Sequence, residues 1–462
     1  MKNVIRLSLL LFMLFILPFN TLAEENYVYW DSGIGGTEKT LNNYFISNSF
    51  GDLSSITEIT FDNIEVSHNI INTEQSHDIS KSKDQSVMAK IDGTTLKIQF
   101  SGKLVWNEDS SYLFSGLNCV DTLTGLEYVD TSNVTNMSFM FNRCKALENL
   151  DLSSFDTSNV TEMCNMFFRC EALESLDLCN FNTSKVEDMS YMFAECSGLK
   201  NVNLSSFNTS NVTGMHGMFE VCSGLENLDL SSFDTSKVED MSWMFEECSG
   251  LKNVNLSSFD TSNVDDMCSM FAECSGLENL DLSSFDTSNV DDMSNMFNEC
   301  SLLKTIYVSE DWGVPENSYY MFYDCTELIG SNGTEYDSTN TDGEYAKVDR
   351  EGTTGYFTLR KFIVIFNSNG GNEIERQSLS KNEKVTEPSN PKKVGSQFVN
   401  WYTDEELTEV YDFNTGVLGD MVLYAKWDIN NPQTGDNIIK YIIITFMSLF
   451  ALIIIKKIEK YN

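Results

Sequence analysis

Between residues 112 and 330 the chain repeats one pattern of apolar and polar positions. In the unit ending at Cys196 the apolar residues are Leu173, Leu176, Leu178, Phe181, Val186, Met189, Met192, Phe193 and Cys196. Leu176, Asp177 and Leu178 alternate with the period of two that gives a short strand one buried face. From Val186 the apolar spacing changes to three, three, one and three, which predicts a short helix or 3₁₀ turn with one apolar side. The cysteines closing each unit fall at Cys144, Cys170, Cys196, Cys222, Cys248, Cys274 and Cys300, each 26 residues after the last, and Cys325 follows at 25. A period of this length predicts a solenoid, because a single unit has no partner for its apolar side and stacked units make one continuous interior.

The motifs LxxLxL, LSSFDTSNV and M-x-x-MFxxC, taken together, resemble those of BspA-like leucine-rich-repeat surface proteins over residues 112–330. The resemblance implies a cell-surface protein with an adhesive role. The expected fold class is a leucine-rich-repeat solenoid, a short parallel strand plus a short helix per 26-residue unit, followed by a small β-rich domain.

The polar positions add two expectations. The TSN or TSK turn and the acidic residues after it (Glu187, Asp188, Asp265, Asp266, Asp291, Asp292) fit capping and the dipole of the expected helix. Stacked acidic pairs are also calcium-ligand chemistry, although no loop of calcium-binding spacing accompanies them. On the exposed strand face the residue between the leucines runs Asp151, Asp177, Asn203, Asp229, Asn255 and Asp281, beside Asn149, Ser175, Asn201, Asn227, Asn253 and Asn279. Interposed asparagines relieve the repulsion that an all-aspartate row would suffer and hydrogen-bond along it. This row is the candidate ligand face, or else a solvated face of polar ladders. Units alternate between SGLKNVNLSS and SGLENLDLSS, as if the copied block were two units long. Trp243 and His216 depart singly from the pattern at helix positions, expected on the convex side.

The flanks frame this array. Residues 1–23 carry Lys2 and Arg6, an apolar run and Thr21-Leu22-Ala23, which predicts a signal peptide cut between Ala23 and Glu24. Residues 24–111 form an N-terminal cap region with a β-hairpin around Asp92-Gly93, and residues 331–360 a C-terminal cap and linker. In residues 361–428, FIVIFNSNGG, FVNWYTD, YDF and LYAKW resemble the Listeria-Bacteroides repeat, which implies a small ubiquitin-like or grasp-like β fold acting as a spacer or auxiliary surface module. Residues 429–437 hold Asn431-Pro432-Gln433-Thr434-Gly435, which resembles the LPxTG sorting signal with Asn for Leu. By that resemblance a sortase cuts between Thr434 and Gly435 and joins Thr434 to peptidoglycan. The apolar segment 438–455 is long enough to cross a bilayer as a membrane-anchored precursor, and the basic tail 456–462 stays inside.

Composition narrows the function. With 69 acidic against 30 basic residues the formal net charge is −39, which repels nucleic acid. Twelve cysteines in an exported chain raise the prospect of disulfides, but eight share one repeat position and read as a column of buried thiols. Only three histidines exist, His68, His77 and His216, and none has a nucleophile and an orienting carboxylate at a recognisable spacing. No cofactor or zinc motif is present, so the sequence points away from an enzyme. It points to a wall-anchored adhesin or binding module for a host or neighbouring-cell protein or glycan, with a passive shielding protein as the alternative.

Overall fold

A computed structural model describes residues 27–29, 40–48, 51–64, 76–83, 85–310, 312–429, 443–445 and 447. The expected signal peptide, its cleavage site at Ala23 and Glu24, and the motif Asn431 to Gly435 lie outside these residues, as does most of segment 438–455. Among the described residues no helix is long and apolar enough to cross a membrane. The chain divides into two compact units, Met1–Leu359 and Arg360–Asn462.

The first unit opens with a five-stranded sheet. The strands Val87–Asp92 and Thr95–Phe100 pair antiparallel around the left-handed Gly93, and Thr95–Phe100 runs parallel to Glu58–Asn63. Alternating burial along these strands turns Val87, Ala89, Leu96 and Ile98 inward. Thr122–Thr124 joins this sheet, and a parallel bridge from Thr122 to Asn149 leads into the repeats. Phe114 stacks on Phe141 at 5.4 Å and Trp106 meets Phe155 edge to face at 5.4 Å, so aromatic side chains close the first layer.

In the unit ending at Cys196 every apolar residue named above is buried, and in other repeats the Leu176 position is half-buried at Leu150, Val202 and Val254. Strands of three or four residues lie in parallel register: Ser175–Asp177 with Asn201–Asn203, Asn227–Asp229 with Asn253–Asn255, and Asn279–Asp281 with Thr305–Val308. Behind them the phenylalanines from Phe114 to Phe322 stack in one column, ring centroids 5.3 to 6.0 Å apart.

The expected helix does not form. Residues 189–196 instead make successive turns, with Met192 N–H donating to Met189 C=O at 3.2 Å and Cys196 N–H to Phe193 C=O at 3.1 Å. Tyr191 and Glu195 are left-handed, at φ of 54° and 58°, and the same two positions are left-handed from Phe139 and Arg143 through Tyr320 and Asp324. A left-handed third residue belongs to a type II turn and breaks a helix. The alternate amides leave the unit altogether: Met189, Tyr191, Phe193 and Glu195 donate to the C=O of Gly214, His216, Met218 and Glu220 in the next repeat. Stacking therefore takes the hydrogen bonds that a helix would have kept within the unit.

The helix-cap reading of the acidic pairs fails with the helix. Asp188, Asp266 and Asp292 accept the N–H two residues on, from Ser190, Cys268 and Ser294, at 2.7 to 2.8 Å, which makes Asx turns. Backbone bridges link these positions from Asp109 to Asn317, a second narrow parallel ladder along the array.

At the far end, Phe357–Leu359 pairs with Thr305–Val308, and Phe357 packs edge-on against Phe297 and Phe322. In the second unit a four-stranded sheet runs in the order Gln377–Leu379, Phe362–Asn367, Met421–Ile429, Ser396–Tyr402, with its two central strands parallel. Val364, Trp401, Leu423 and Ala425 fill its core.

Candidate interaction surface

Three buried columns fix what the array shows outside. The first is the thiols. All eight repeat-position cysteines are buried and unpaired, and each Sγ donates to a phenylalanine C=O of the preceding repeat, at 2.9 to 3.3 Å. Burial pushes Cys144, Cys248 and Cys300 up to about 12, so these thiols stay protonated and inert. The second is the threonine of the TSN turn. Thr157, Thr183, Thr209, Thr235 and Thr261 are buried, and each hydroxyl donates to a C=O in the next repeat and accepts the N–H of the same residue. Sequence reasoning placed this threonine at a helix cap; its real partner lies 25 residues on. The third is the phenylalanine stack already described, with Met189, Met192 and their counterparts in the other repeats buried in the same core.

The twelve residues expected to form a ligand face are all exposed and lie together on the strand side. Their groups bond in pairs: Asn203 Nδ2 donates to Asp177 Oδ1 at 2.9 Å, Asn255 Nδ2 to Asp229 Oδ1 at 3.1 Å, and Asn253 Nδ2 to Asn227 Oδ1 at 2.7 Å. The N–H of Cys179 holds Asp177 below the usual carboxylate range, and Ser231 does the same for Asp229. Beside them Lys200 meets Glu174 at 2.8 Å, Lys252 meets Glu226 at 2.9 Å and Lys304 meets Glu278 at 2.9 Å. The two-unit alternation thus sets donor against acceptor and cation against anion within each strand pair.

The turn side carries a different set. His216 Nδ1 lies 3.0 Å from Ser190 Oγ and 3.8 Å from Asp240 Oδ2, with Tyr191 edge-on at 4.8 Å. Serine and carboxylate share one ring nitrogen, so the imidazole cannot relay a proton between them as a catalytic triad does. His216 and Trp243 both sit in this turn segment, not on a helix. Glu246 is pushed up to about 7 by burial and by the charges of Glu220, Glu247 and Glu273. Among the described residues no cluster of His, Cys, Asp or Glu has the arrangement of a metal site.

Sequence reasoning missed one feature here. Tyr319, Tyr320 and Tyr323 are 58, 58 and 48 % exposed, and Tyr320 meets Tyr323 edge to face at 6.2 Å. The signal was legible: YYMFYDC aligns on SNMFNEC of the preceding unit, with tyrosine at three positions that are polar there.

The first unit is thus a β-rich repeat protein with buried apolar columns and polar or aromatic exposed rows. Comparison with known proteins agrees in part. Residues 108–228 and 215–334 match the family described as Mycoplasma protein of unknown function, DUF285, and residues 362–426 match the Listeria-Bacteroides repeat domain. The chain is 47% identical over 73 residues to a Gly-rich membrane protein of Evansella cellulosilytica and 46% identical over 73 residues to a second membrane protein of that organism. Each match covers 16% of this chain but only 8% and 11% of those relatives. Among solved structures, a leucine-rich repeat protein of Bacteroides ovatus aligns at 16% identity over 50% of this chain and 60% of its own, with a TM-score of 0.30. A leucine rich cell surface protein of Faecalibacterium prausnitzii aligns at 14% identity over 59% of this chain and 86% of its own, with a TM-score of 0.22.

Proposed function

We propose that this chain is exported, anchored to the cell wall and used as a surface binding module. Support for display comes from the order of its ends: an export signal through Ala23, the pentapeptide Asn431 to Gly435, an apolar span and a basic tail. Two relatives bear the name membrane protein, which agrees with an envelope location. In this reading sortase joins Thr434 to the peptidoglycan amine. Thr434→Ala then leaves the chain in the membrane fraction, and release of that variant with the wall after muramidase treatment would remove the anchoring claim.

The observation that carries binding is the exposed cluster Tyr319, Tyr320 and Tyr323, because aromatic side chains anchor interfaces and a soluble repeat has no need to expose them. The strand-side row supports the other reading, a passive shield, since its groups hydrogen-bond to one another in pairs. The two separate in one assay. Purified residues 24–430 bind a cell, matrix or glycan surface saturably if the chain is a binding module; a passive shield shows no saturation on any of them.

A further inference from the structure

On the turn side the last repeat replaces three polar residues of the preceding unit. Where the preceding unit reads Ser294-Asn295-Met296-Phe297-Asn298, it reads Tyr319-Tyr320-Met321-Phe322-Tyr323. Met321 and Phe322 keep their buried columns, so the three tyrosines are additions to the surface and do nothing for the core. A groove of about 350 Å³ ends at Asp324, the residue after Tyr323, and is lined by one row of Val221, Glu247, Glu273, Glu299 and Asp324 and by the serines two residues after the first four of these.

The charge of this row is specific to the later repeats. In the earlier ones the same row neutralises itself: Arg169 holds Glu195 with two bonds of 2.7 Å. Among the described residues no lysine or arginine pairs with Glu247, Glu273, Glu299 or Asp324. Burial and the flanking Glu247 and Glu299 raise Glu273, as expected of carboxylates left without a cation.

We infer that the tyrosine end of the array and the groove beside it receive an extended polypeptide segment rich in arginine and lysine. Guanidinium groups stack on the tyrosines, and cationic side chains line the carboxylate row in charge-assisted hydrogen bonds. A sugar ring would ask for a flat aromatic platform, whereas Tyr320 and Tyr323 cross at 85°. This partner class rests on the binding reading above.

The test uses the full chain in detergent micelles and a labelled short peptide of alternating arginine and serine, read by fluorescence anisotropy at about 150 mM salt, where exposed charges are screened beyond about 8 Å. Tyr319→Ser, Tyr320→Asn and Tyr323→Asn together restore the residues of the preceding unit, so the fold is kept. That variant should bind the peptide about tenfold more weakly, as should Glu273→Gln with Glu299→Gln. Asp177→Asn with Asp229→Asn removes the same charge from the strand side and should leave affinity unchanged. An equal loss in that control, or no loss in the tyrosine variant, overturns the inference. So does binding of a neutral oligosaccharide that depends on the tyrosines and not on the carboxylates. Surface binding that survives in the tyrosine variant, without peptide binding, overturns the basic partner and leaves the binding module standing. Absence of all saturable binding overturns both.

Discussion

The two sides of the repeat array are held together differently. On the turn side, backbone bridges run without a break from Asp109 to Asn317, and the threonine and thiol columns hydrogen-bond from each unit to its neighbour. On the strand side the ladder is broken: Ser175–Asp177 pairs with Asn201–Asn203, Asn227–Asp229 with Asn253–Asn255, and Asn279–Asp281 joins Thr305–Val308 and Phe357–Leu359 in a three-stranded sheet, while among the described residues no ladder joins Asn203 to Asp229 or Asn255 to Asp281. The side chains follow the same division, since Lys200, Lys252 and Lys304 each pair backward with the glutamate of the strand partner. Cohesion between units therefore resides in the buried and turn-side columns. The strand side is left with a two-unit pattern of small surface interactions, each worth a fraction of a kcal/mol.

The sharpest way to break the contrast is inside the column. Phe219 is fully buried and stacks on Phe193 at 5.4 Å and on Phe245 at 5.9 Å. Phe219→Ala should cost about 3 to 5 kcal/mol in urea unfolding by loss of contact with both neighbours. Thr209→Val comes next. Its hydroxyl donates to Asp234 C=O and accepts Asp234 N–H, both at 2.8 Å, so the methyl leaves two part-buried backbone groups without this partner. The expected cost is about 1 to 3 kcal/mol, measured in the same way.

A pH series probes the acidic part of the turn side. Glu246 is raised from an ordinary 4.5 to about 7, so the folded chain holds this proton more tightly than the unfolded chain does. Its contribution is fully favourable below about pH 4.5 and is lost as pH rises through about 7. Glu246→Gln should therefore raise the melting temperature at pH 8 and leave it unchanged at pH 4. An equal effect at both would deny the repulsion among Glu220, Glu246, Glu247 and Glu273. On the strand side Lys252→Ala, which removes an exposed pair, should change stability by less than about 0.5 kcal/mol. Asn255→Ala should do no more. A strand-side loss as large as that of Thr209→Val would erase the distinction between the two sides.

Much of this was readable from residue order. The 26-residue spacing of Cys144 to Cys300 identified the thiol column, and the Leu176-Asp177-Leu178 alternation identified the strand. The helix was misread for a definite reason: a turn from Met189 to Met192 closes an i to i+3 bond, and so gives the same apolar spacing as a helical face. What separates the two is the sign of φ at Tyr191 and Glu195, and neither residue type announces a left-handed backbone. The hints were Gly217, at the Tyr191 position in the next unit with φ 59°, and Asn165 and Asn295 at the same position in other units, since glycine and asparagine tolerate this conformation. The threonine column was hidden because hydropathy reports burial and not the partner 25 residues away. The exposed strand row was read correctly as polar, but its pairing in twos depends on backbone register that composition does not carry.

Cysteine alkylation of the native chain tests the continuous interior most directly. Brief treatment with iodoacetamide followed by peptide mass analysis should label Cys119 and Cys179, which are exposed, and leave Cys144, Cys170, Cys196, Cys222, Cys248, Cys274, Cys300 and Cys325 unmodified until the chain is unfolded in urea. Labelling of the eight column thiols at the rate of Cys179 in the native chain, or recovery of disulfides between neighbouring units, would contradict a closed column of protonated thiols bonded to the phenylalanine carbonyls.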